Sequence, residues 1–260
     1  MIKIALAQMD VKWAEPDANL TTVRQLVAQA AEAQADLVVL PELWGSGYDL
    51  AHAGQYATTV NDGLFREMAA LAGAHRLHVV GSLLEQENGR IYNTCALFSP
   101  RGLVATYRKI HLFRLMEEHQ YLAPGDQPTL CQGLPWGTTA LAICYDLRFP
   151  ELFRGYALAG ARLVVIPAQW PARRVDHWGT LLRARAIENQ CFVAGCNRVG
   201  RDNGDPFGGR SALVGPWGEV LVEGDDRPAL LLAEVDLDKV EQARQHIPIL
   251  SDRRPECYEV

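Results

Sequence analysis

Residues 35–44 read Ala-Asp-Leu-Val-Val-Leu-Pro-Glu-Leu-Trp, and residues 161–170 read Ala-Arg-Leu-Val-Val-Ile-Pro-Ala-Gln-Trp. Each stretch contains a uniformly apolar run that ends at a proline, which is typical of a strand buried on both faces. Each follows a predicted helix and, before that, a predicted strand, so one β-α-β plan is used twice. Two such copies predict two similar sheets packed face to face, with helices covering each sheet on the outside. The alternative is a chance similarity, because many buried strands end in this way.

The other predicted elements fit an α/β fold in the form of a four-layer α-β-β-α sandwich. Strands are predicted at residues 2–8, 37–40, 78–83, 94–98, 139–144, 163–166, 191–197 and 211–215. Helices are predicted at residues 19–35, 63–75, 150–159 and 178–190. No linker rich in proline, glycine or serine divides the chain, so residues 1–260 are predicted to form a single domain. We expect the tail from about residue 237 to pack on a neighbouring subunit.

Composition favours a soluble globular protein that acts on a small molecule. Hydrophobic residues make up 48% and charged residues 22% of the chain, and the formal net charge is −6. No dense cluster of lysine and arginine offsets that charge, so nucleic-acid binding is not expected. The apolar run at the amino terminus stops at Met9, too short for a signal peptide or a membrane span. The sequence therefore predicts a cytoplasmic protein without a membrane partner.

The six cysteines and seven histidines are scattered along the chain. No C-x-x-C motif and no spacing typical of a zinc site or a disulfide framework is present. We therefore expect reduced cysteines and no metal, and one of the thiols is a candidate nucleophile.

Two reactive residue types fall where predicted strands end, which is where catalytic groups collect in α/β folds. Glu42 directly follows the run Leu-Val-Val-Leu-Pro, and its alternative role is an ordinary salt bridge. Cys144 ends a predicted strand, and Pro150 fits the first turn of the helix that follows. Strand, sharp turn and helix form the geometry of a nucleophile elbow, which exposes a thiol and aims backbone N–H groups at it. The alternative is a buried cysteine that acts as a small hydrophobe.

Lys109 completes the set of groups that amide hydrolysis needs. It stands in the stretch Tyr-Arg-Lys-Ile-His-Leu-Phe at residues 107–113, where a surface position is the alternative. Acyl transfer from an amide needs a nucleophile, a base and positive charge beside the developing oxyanion. We predict that Glu42 takes the thiol proton, Cys144 attacks the carbonyl, and Lys109 with the backbone N–H of Tyr145 holds the oxyanion. No cofactor is required.

Three motifs carry a family resemblance. They are Pro-Glu-Leu-Trp at residues 41–44, the stretch at residues 107–113, and Ile-Cys-Tyr-Asp-Leu-Arg-Phe-Pro-Glu-Leu at residues 143–152. In this order they resemble the glutamate, lysine and cysteine signatures of the carbon-nitrogen hydrolase, or nitrilase, superfamily. Further matches at residues 183–190, 197–200, 208–211, 215–219 and 247–255 extend the resemblance along the chain. The resemblance implies an α-β-β-α sandwich, a homodimer or larger assembly, and a second glutamate near the lysine. Glu118 is the best match for that glutamate, and Glu117 is the alternative.

Within the superfamily, the chain most resembles the omega-amidase branch. That resemblance implies hydrolysis of the terminal amide of a small α-keto acid amide such as 2-oxoglutaramate. The remote carboxylate of such a substrate calls for a cation, and Arg173 or Arg174 is predicted to supply it. Trp44, Phe113, Tyr145 and Trp170 are predicted to line the pocket, with a place in the core as the alternative.

Four other functions stay open on the sequence alone. An N-carbamoyl amino acid or amine amidohydrolase, or an aliphatic nitrilase, would share the three catalytic groups and differ in the lining of the pocket. A Cys-His hydrolase of another fold would use His111 and leave Glu42 and Lys109 unexplained. A binding or scaffold protein would keep the fold without turnover.

Overall fold

The computed structural model describes residues 1–202, 204 and 206–258. Its strands are β1 Ile2–Gln8, β2 Leu37–Val39, β3 His78–Glu87, β4 Arg90–Ser99, β5 Gly102–Arg108, β6 Thr129–Cys131, β7 Thr139–Leu141, β8 Leu163–Ala168, β9 Phe192–Asn197, β10 Val199–Arg201, β11 Pro206–Gly208, β12 Ala212–Val214, β13 Val220–Glu223 and β14 Ala229–Val235. Its helices are α1 Pro16–Glu32, α2 Ala53–Tyr56, α3 Gly63–His75, α4 Glu118–Tyr121, α5 Pro150–Leu158, α6 Val175–Asn189 and α7 Asp238–His246.

Two six-stranded sheets repeat one topology. Sheet 1 has the order β14-β1-β2-β3-β4-β5, and sheet 2, read from its other edge, has the order β6-β7-β8-β9-β12-β13. In each sheet the second, third and fourth strands are parallel, and every other pairing is antiparallel. The two similar stretches of sequence form β2 and β8, which occupy the same place in the two sheets. The predicted α/β sandwich built on a repeated plan is therefore confirmed.

The alternation of side chains along β2 shows how the layers are held together. Leu37 and Val39 belong to the large apolar cluster that includes Val165 of sheet 2. Val38, between them, packs instead with Val27 of α1 and Phe65 of α3. Because successive strand residues face opposite sides of a sheet, one short strand contributes to the contact between the sheets and to the contact with the helices.

The sequence prediction omitted β5, β6, β10, β11, β13 and β14. Four of these, β5, β6, β13 and β14, are the edge strands of the two large sheets, and β10 and β11 form a separate small sheet. Edge strands in this fold keep partly exposed side chains, such as Leu232 of β14 and Val220 of β13, so they lack a uniformly apolar run. The strand predicted at residues 139–144 ends at Leu141, because Cys144 begins a short 3₁₀ turn.

The first helix of the predicted tail packs on its own chain. Val240 and Ala243 of α7 are buried. The Gln190 side chain, after α6, donates hydrogen bonds to the carbonyls of Ala243 and Ile247 at 3.0 and 2.8 Å. A subunit contact of the tail from about residue 237 stays a prediction. None of the described helices has both the length and the apolarity needed to cross a membrane.

Candidate active site

Three buried side chains converge where strands of the two sheets end. Glu42 follows β2, Lys109 directly follows β5, and Cys144 lies three residues beyond β7. Their exposed fractions are 0%, 1% and 5%. The charges of Glu42 and Lys109 both act on the Cys144 thiol. Glu42 and Lys109 are 67 residues apart in the sequence, and Lys109 and Cys144 are 35 apart. The structure therefore brings together the three residues that the sequence analysis singled out.

Lys109 is held between two carboxylates. Its Nζ donates hydrogen bonds to Glu42 Oε1 at 2.8 Å and to Glu118 Oε1 at 2.6 Å. Burial alone would lower the pKa of Lys109, but the two carboxylates, Glu118 first, raise it above its ordinary value. The lysine is therefore a fixed ammonium group and not a nucleophile.

Glu118 occupies the position expected of the second glutamate. Its Oε1 accepts a hydrogen bond from Tyr48 Oη at 2.7 Å, and its Oε2 accepts one from the Phe113 backbone N–H at 2.8 Å. Burial raises the pKa of Glu118, and Lys109 opposes that rise. The alternative, Glu117, is exposed. Glu118 thus holds Lys109 together with Glu42.

Glu42 is fixed by donors on both carboxylate oxygens. Lys109 and the Asn93 side chain donate to Oε1, each at 2.8 Å, and the Gln169 backbone N–H donates to Oε2 at 2.9 Å. The Gln169 side chain also donates from Nε2 to the Glu42 carbonyl at 2.7 Å. Because Gln169 follows β8, sheet 2 positions a carboxylate that sheet 1 carries.

Cys144 sits at a sharp turn, as predicted for a nucleophile elbow. It opens the 3₁₀ turn Cys144–Arg148 with a φ of 44°, a left-handed value that costs a non-glycine residue about 1 kcal/mol. The Asp146 carboxylate stabilises the turn by accepting hydrogen bonds from the Ile143 backbone N–H and from Tyr107 Oη, both at 2.8 Å. The elbow is thereby tied to β5, the strand that leads to Lys109.

The surroundings of Cys144 favour the protonated form of its thiol. Burial raises its pKa well above the ordinary value of 9.0, and Glu42 raises it further by its charge and by hydrogen bonding, while Lys109 lowers it. A thiol in this state needs a base to take its proton during attack, and Glu42 is the carboxylate that contacts it.

We expect no Cys144 thiolate near neutral pH. The difference in ultraviolet thiolate absorbance between the wild-type protein and Cys144→Ala should stay flat between about pH 6 and pH 8, because the raised pKa keeps the thiol protonated. It should rise only under alkaline conditions. Using Cys257→Ser as the parent of both proteins removes the exposed cysteine from the comparison. A thiolate step near pH 7 would contradict the prediction.

A small pocket opens onto the thiol. It is narrow, since the space between its lining atoms, counted out into open solvent, is about 250 Å³. Its lining residues are Phe113, Cys144, Tyr145, Arg148, Gln169, Trp170, Pro171 and Arg174. Four of the six residues predicted around the substrate, namely Phe113, Tyr145, Trp170 and Arg174, therefore lie beside the thiol. Trp44 packs instead in the apolar cluster between sheet 1 and its helices.

Arg173, the remaining predicted residue, lines a neighbouring groove. That groove also contains Tyr48 and Glu117. Arg173 and Arg174 belong to the 3₁₀ turn Ala172–Arg174, and successive side chains on such a turn point about 120° apart. Only one of two adjacent arginines can therefore face the pocket, and the second arginine of the pocket is Arg148.

The His111 side chain contacts a carboxylate and not the Cys144 thiol. Its Nδ1 lies 2.8 Å from Asp146 Oδ1, and its ring stacks on Phe149 with the centroids 3.6 Å apart. No histidine is among the groups whose charge acts on Cys144. The arrangement therefore favours Glu42 over His111 as the base.

Within the described ranges, no group of three or more histidine, cysteine, aspartate or glutamate side chains could hold a metal ion.

The sequence interpretation did not assign Tyr48, Asn93, Gln169 or Asp146 to the site. Only their contacts with Glu118, Glu42 and the elbow reveal them. Arg148 lies within the cysteine motif, and its position four residues after the nucleophile was the one available signal.

The family model for carbon-nitrogen hydrolases matches residues 3–245. This chain belongs to the carbon-nitrogen hydrolase family. It is thus an enzyme of the nitrilase superfamily, and the resemblance of the three motifs is confirmed.

Relatives of this carbon-nitrogen hydrolase include named amidases. The 2-oxoglutaramate amidase of Bacillus subtilis (strain 168) is 38% identical over 98% of this chain and 98% of its own length. The omega-amidase NIT2 of Mus musculus is 35% identical over 99% of this chain and 97% of its own. A solved structure of an amidase from Nesterenkonia sp. AN1 superposes with a TM-score of 0.86 at 30% identity, covering 98% of this chain and 95% of that one. That amidase, a glutamate-to-glutamine variant, carries the acetamide moiety of fluoroacetamide covalently at its active-site cysteine.

Proposed function

We propose that this carbon-nitrogen hydrolase is an omega-amidase, which hydrolyses the terminal amide of a small α-keto acid or carboxylic acid amide to the acid and ammonia. The observation that carries the proposal is that Arg148 and Arg174 share a small pocket with Cys144. A substrate such as 2-oxoglutaramate has an amide at one end and a carboxylate at the other. The pocket offers a nucleophile for the first and cations for the second.

The first half of the reaction forms a thioester. Glu42 accepts the thiol proton as the Cys144 sulfur attacks the amide carbonyl carbon. The Lys109 ammonium and the backbone N–H of Tyr145 stabilise the negative oxygen of the tetrahedral intermediate. When this intermediate collapses, the carbon-nitrogen bond breaks, Glu42 returns its proton to the leaving nitrogen, and ammonia departs.

The second half releases the acid. Glu42 accepts a proton from a water molecule, whose oxygen attacks the thioester carbonyl. The carbon-sulfur bond then breaks, the thiol regains its proton, and the acid leaves. One carboxylate thus acts as base and acid in both halves, and its three hydrogen-bond donors keep it in place throughout.

The two arginines of the pocket are placed to bind a carboxylate. The Arg148 guanidinium stacks 4.7 Å from the centre of the Trp170 ring. Arg174 Nη1 is buried and has no hydrogen-bond partner in the described protein. A buried donor without a partner is costly, and a substrate carboxylate would satisfy it. We assign carboxylate recognition to Arg148 and Arg174.

Removing either arginine should discriminate against charged substrates. For 2-oxoglutaramate, Arg148→Met and Arg174→Met are each expected to lower kcat/KM by about 10- to 100-fold, mainly through KM, the usual cost of a charge-assisted hydrogen bond. For propionamide, which lacks a carboxylate, the same variants should change kcat/KM little. Arg173→Met is the matched control and should affect both substrates only slightly. Equal losses on the two substrates would contradict the assignment.

Steady-state kinetics on a substrate panel tests the proposed function. The panel contains 2-oxoglutaramate, an N-carbamoyl β-amino acid and an aliphatic nitrile, and mass spectrometry of the quenched enzyme detects the acyl group on Cys144. We expect the highest kcat/KM on the keto acid amide. A preference for the N-carbamoyl compound or the nitrile would replace the omega-amidase assignment with one of those two activities.

We further propose that the enzyme works in the cytoplasm as a homodimer. All six cysteines are free, which suits a reducing compartment. Half-exposed apolar side chains, including Ile187 of α6, line a groove against β12 and β13 and are available for a subunit contact. The tail beyond Ile247 is a second candidate contact.

A further inference from the structure

Arg198, which follows β9, is a fully buried cation outside the proposed chemistry. Its guanidinium connects three loops. Its Nη2 donates to the Val11 carbonyl after β1, its Nη1 donates to Gln169 Oε1 after β8 at 3.0 Å, and its Nη1 also pairs with Asp202 at 2.6 Å. Burying a guanidinium is expensive, so contacts as complete as these indicate a specific role.

The contact with Gln169 leads directly to the proposed base. Gln169 Oε1 faces Arg198, and Nε2 of the same amide donates to the Glu42 carbonyl at 2.7 Å. The backbone N–H of Gln169 donates to Glu42 Oε2 at 2.9 Å. Gln169 therefore binds both the main chain and the carboxylate of Glu42, and Arg198 binds the side-chain oxygen of Gln169.

We propose that Arg198 is a positioning residue for Glu42, acting through Gln169. The inference rests on the proposed role of Glu42 as the base. A primary amide can bind in two orientations that exchange its oxygen and nitrogen. A cation beside one end fixes the oxygen there and leaves the NH₂ group to face the Glu42 carbonyl. Arg198 thus selects the orientation in which Gln169 is a donor to Glu42.

The surrounding loop supports this role. A Cβ placed on Gly47 would lie 3.8 Å from Arg198 Nη1, so the guanidinium packs against the loop that carries Glu42. Arg198 does not line the pocket beside the thiol. Its loss should therefore affect the placement of the base and leave substrate binding almost unchanged.

Kinetics of Arg198→Met, with 2-oxoglutaramate as substrate, provide the first measurement. We expect kcat to fall by about tenfold or more with KM changed less than about twofold. Arg244→Met is the control. Arg244 is partly buried and donates to the Ala161 carbonyl, but it belongs to α7, so its loss should lower stability and leave kcat almost unchanged.

Gln169→Glu keeps the test decisive if Arg198→Met does not fold. The new carboxylate still pairs with Arg198 but has no donor for the Glu42 carbonyl. It should fold and lose a similar factor in kcat, with KM little changed.

Two results would overturn the inference while wild-type turnover stands. They are a kcat that is unchanged in both single variants, or a loss confined to KM. Wild-type protein that hydrolyses no amide would instead overturn the proposed function, so the two failures are distinguishable.

Discussion

Cys144→Ala is expected to fold normally and to lower kcat for amide hydrolysis by about 10⁴-fold or more. Removal of a covalent nucleophile has effects of this size because the remaining groups cannot form the acyl-enzyme. The fold should tolerate the change. Alanine carries the same left-handed backbone cost that cysteine already bears at φ 44°, and it leaves only a sulfur-sized space.

Turnover of 2-oxoglutaramate and the thermal midpoint measure the two halves of this prediction. Cys191→Ala is the matched control, since Cys191 is an equally buried thiol in the polypeptide link between α6 and β9. It should cost similar stability and retain activity. Mass spectrometry should find the acyl adduct in wild-type protein and in Cys191→Ala. Appreciable turnover by Cys144→Ala would eliminate the covalent mechanism.

Lys109→Met should have the next largest effect. Methionine matches the length of the lysine chain but supplies no positive charge to the oxyanion. Loss of an oxyanion donor typically costs about 3 to 4 kcal/mol of transition-state stabilisation, or roughly 10² to 10³ in kcat. A change of only a few-fold would mean that the lysine is structural.

The same substitution should make stability more dependent on pH. Without Lys109, two buried carboxylates face each other, and the pKa of Glu118, already raised by burial, should rise further. A folded-state pKa above the unfolded value near 4.5 gives stability that is present at low pH and lost as pH rises. The unfolding midpoint of Lys109→Met should therefore fall, relative to wild type, between about pH 5 and pH 8.

The double variant Lys109→Met/Glu118→Gln separates the two effects. Removing one carboxylate should restore much of the stability at pH 8, because the like charges no longer repel. It should not restore kcat, because the oxyanion still lacks its cation. Recovery of activity together with stability would show that Lys109 acts only by holding the fold together.

The sequence predicted those features of the fold and of the site that short local patterns of residues encode. The repeated stretch around Leu37 and Leu163 predicted two similar sheets because a run of consecutive apolar residues is typical of a buried strand. Glu42 and Cys144 were predictable because each stands at the end of a predicted strand inside a motif. Lys109 was predictable from its motif alone, because β5 was not predicted.

The hydrogen-bond partners of these residues were not predictable in the same way. Gln169 meets Glu42 across 127 positions, and Tyr48 meets Glu118 across 70. No local pattern encodes such a pairing, because it depends on how the two sheets pack. The edge strands were not predicted for a related reason. β14 pairs with β1 from the far end of the chain, and its own side chains are only partly buried.

The hydrogen bonds from Gln169 to Glu42 also determine the stage of folding at which the enzyme becomes active. The proposed base, Glu42, comes from the first quarter of the chain, and Gln169, which orients it, is made only after Cys144. Contacts so distant in sequence form late in folding, since the loops between them must close first. A growing chain will therefore carry Cys144 without an oriented Glu42 until β8 and Gln169 have been made. Competence to cleave an amide should consequently appear in one step with the final docking of the two halves, which makes turnover itself a probe of the last stage of folding.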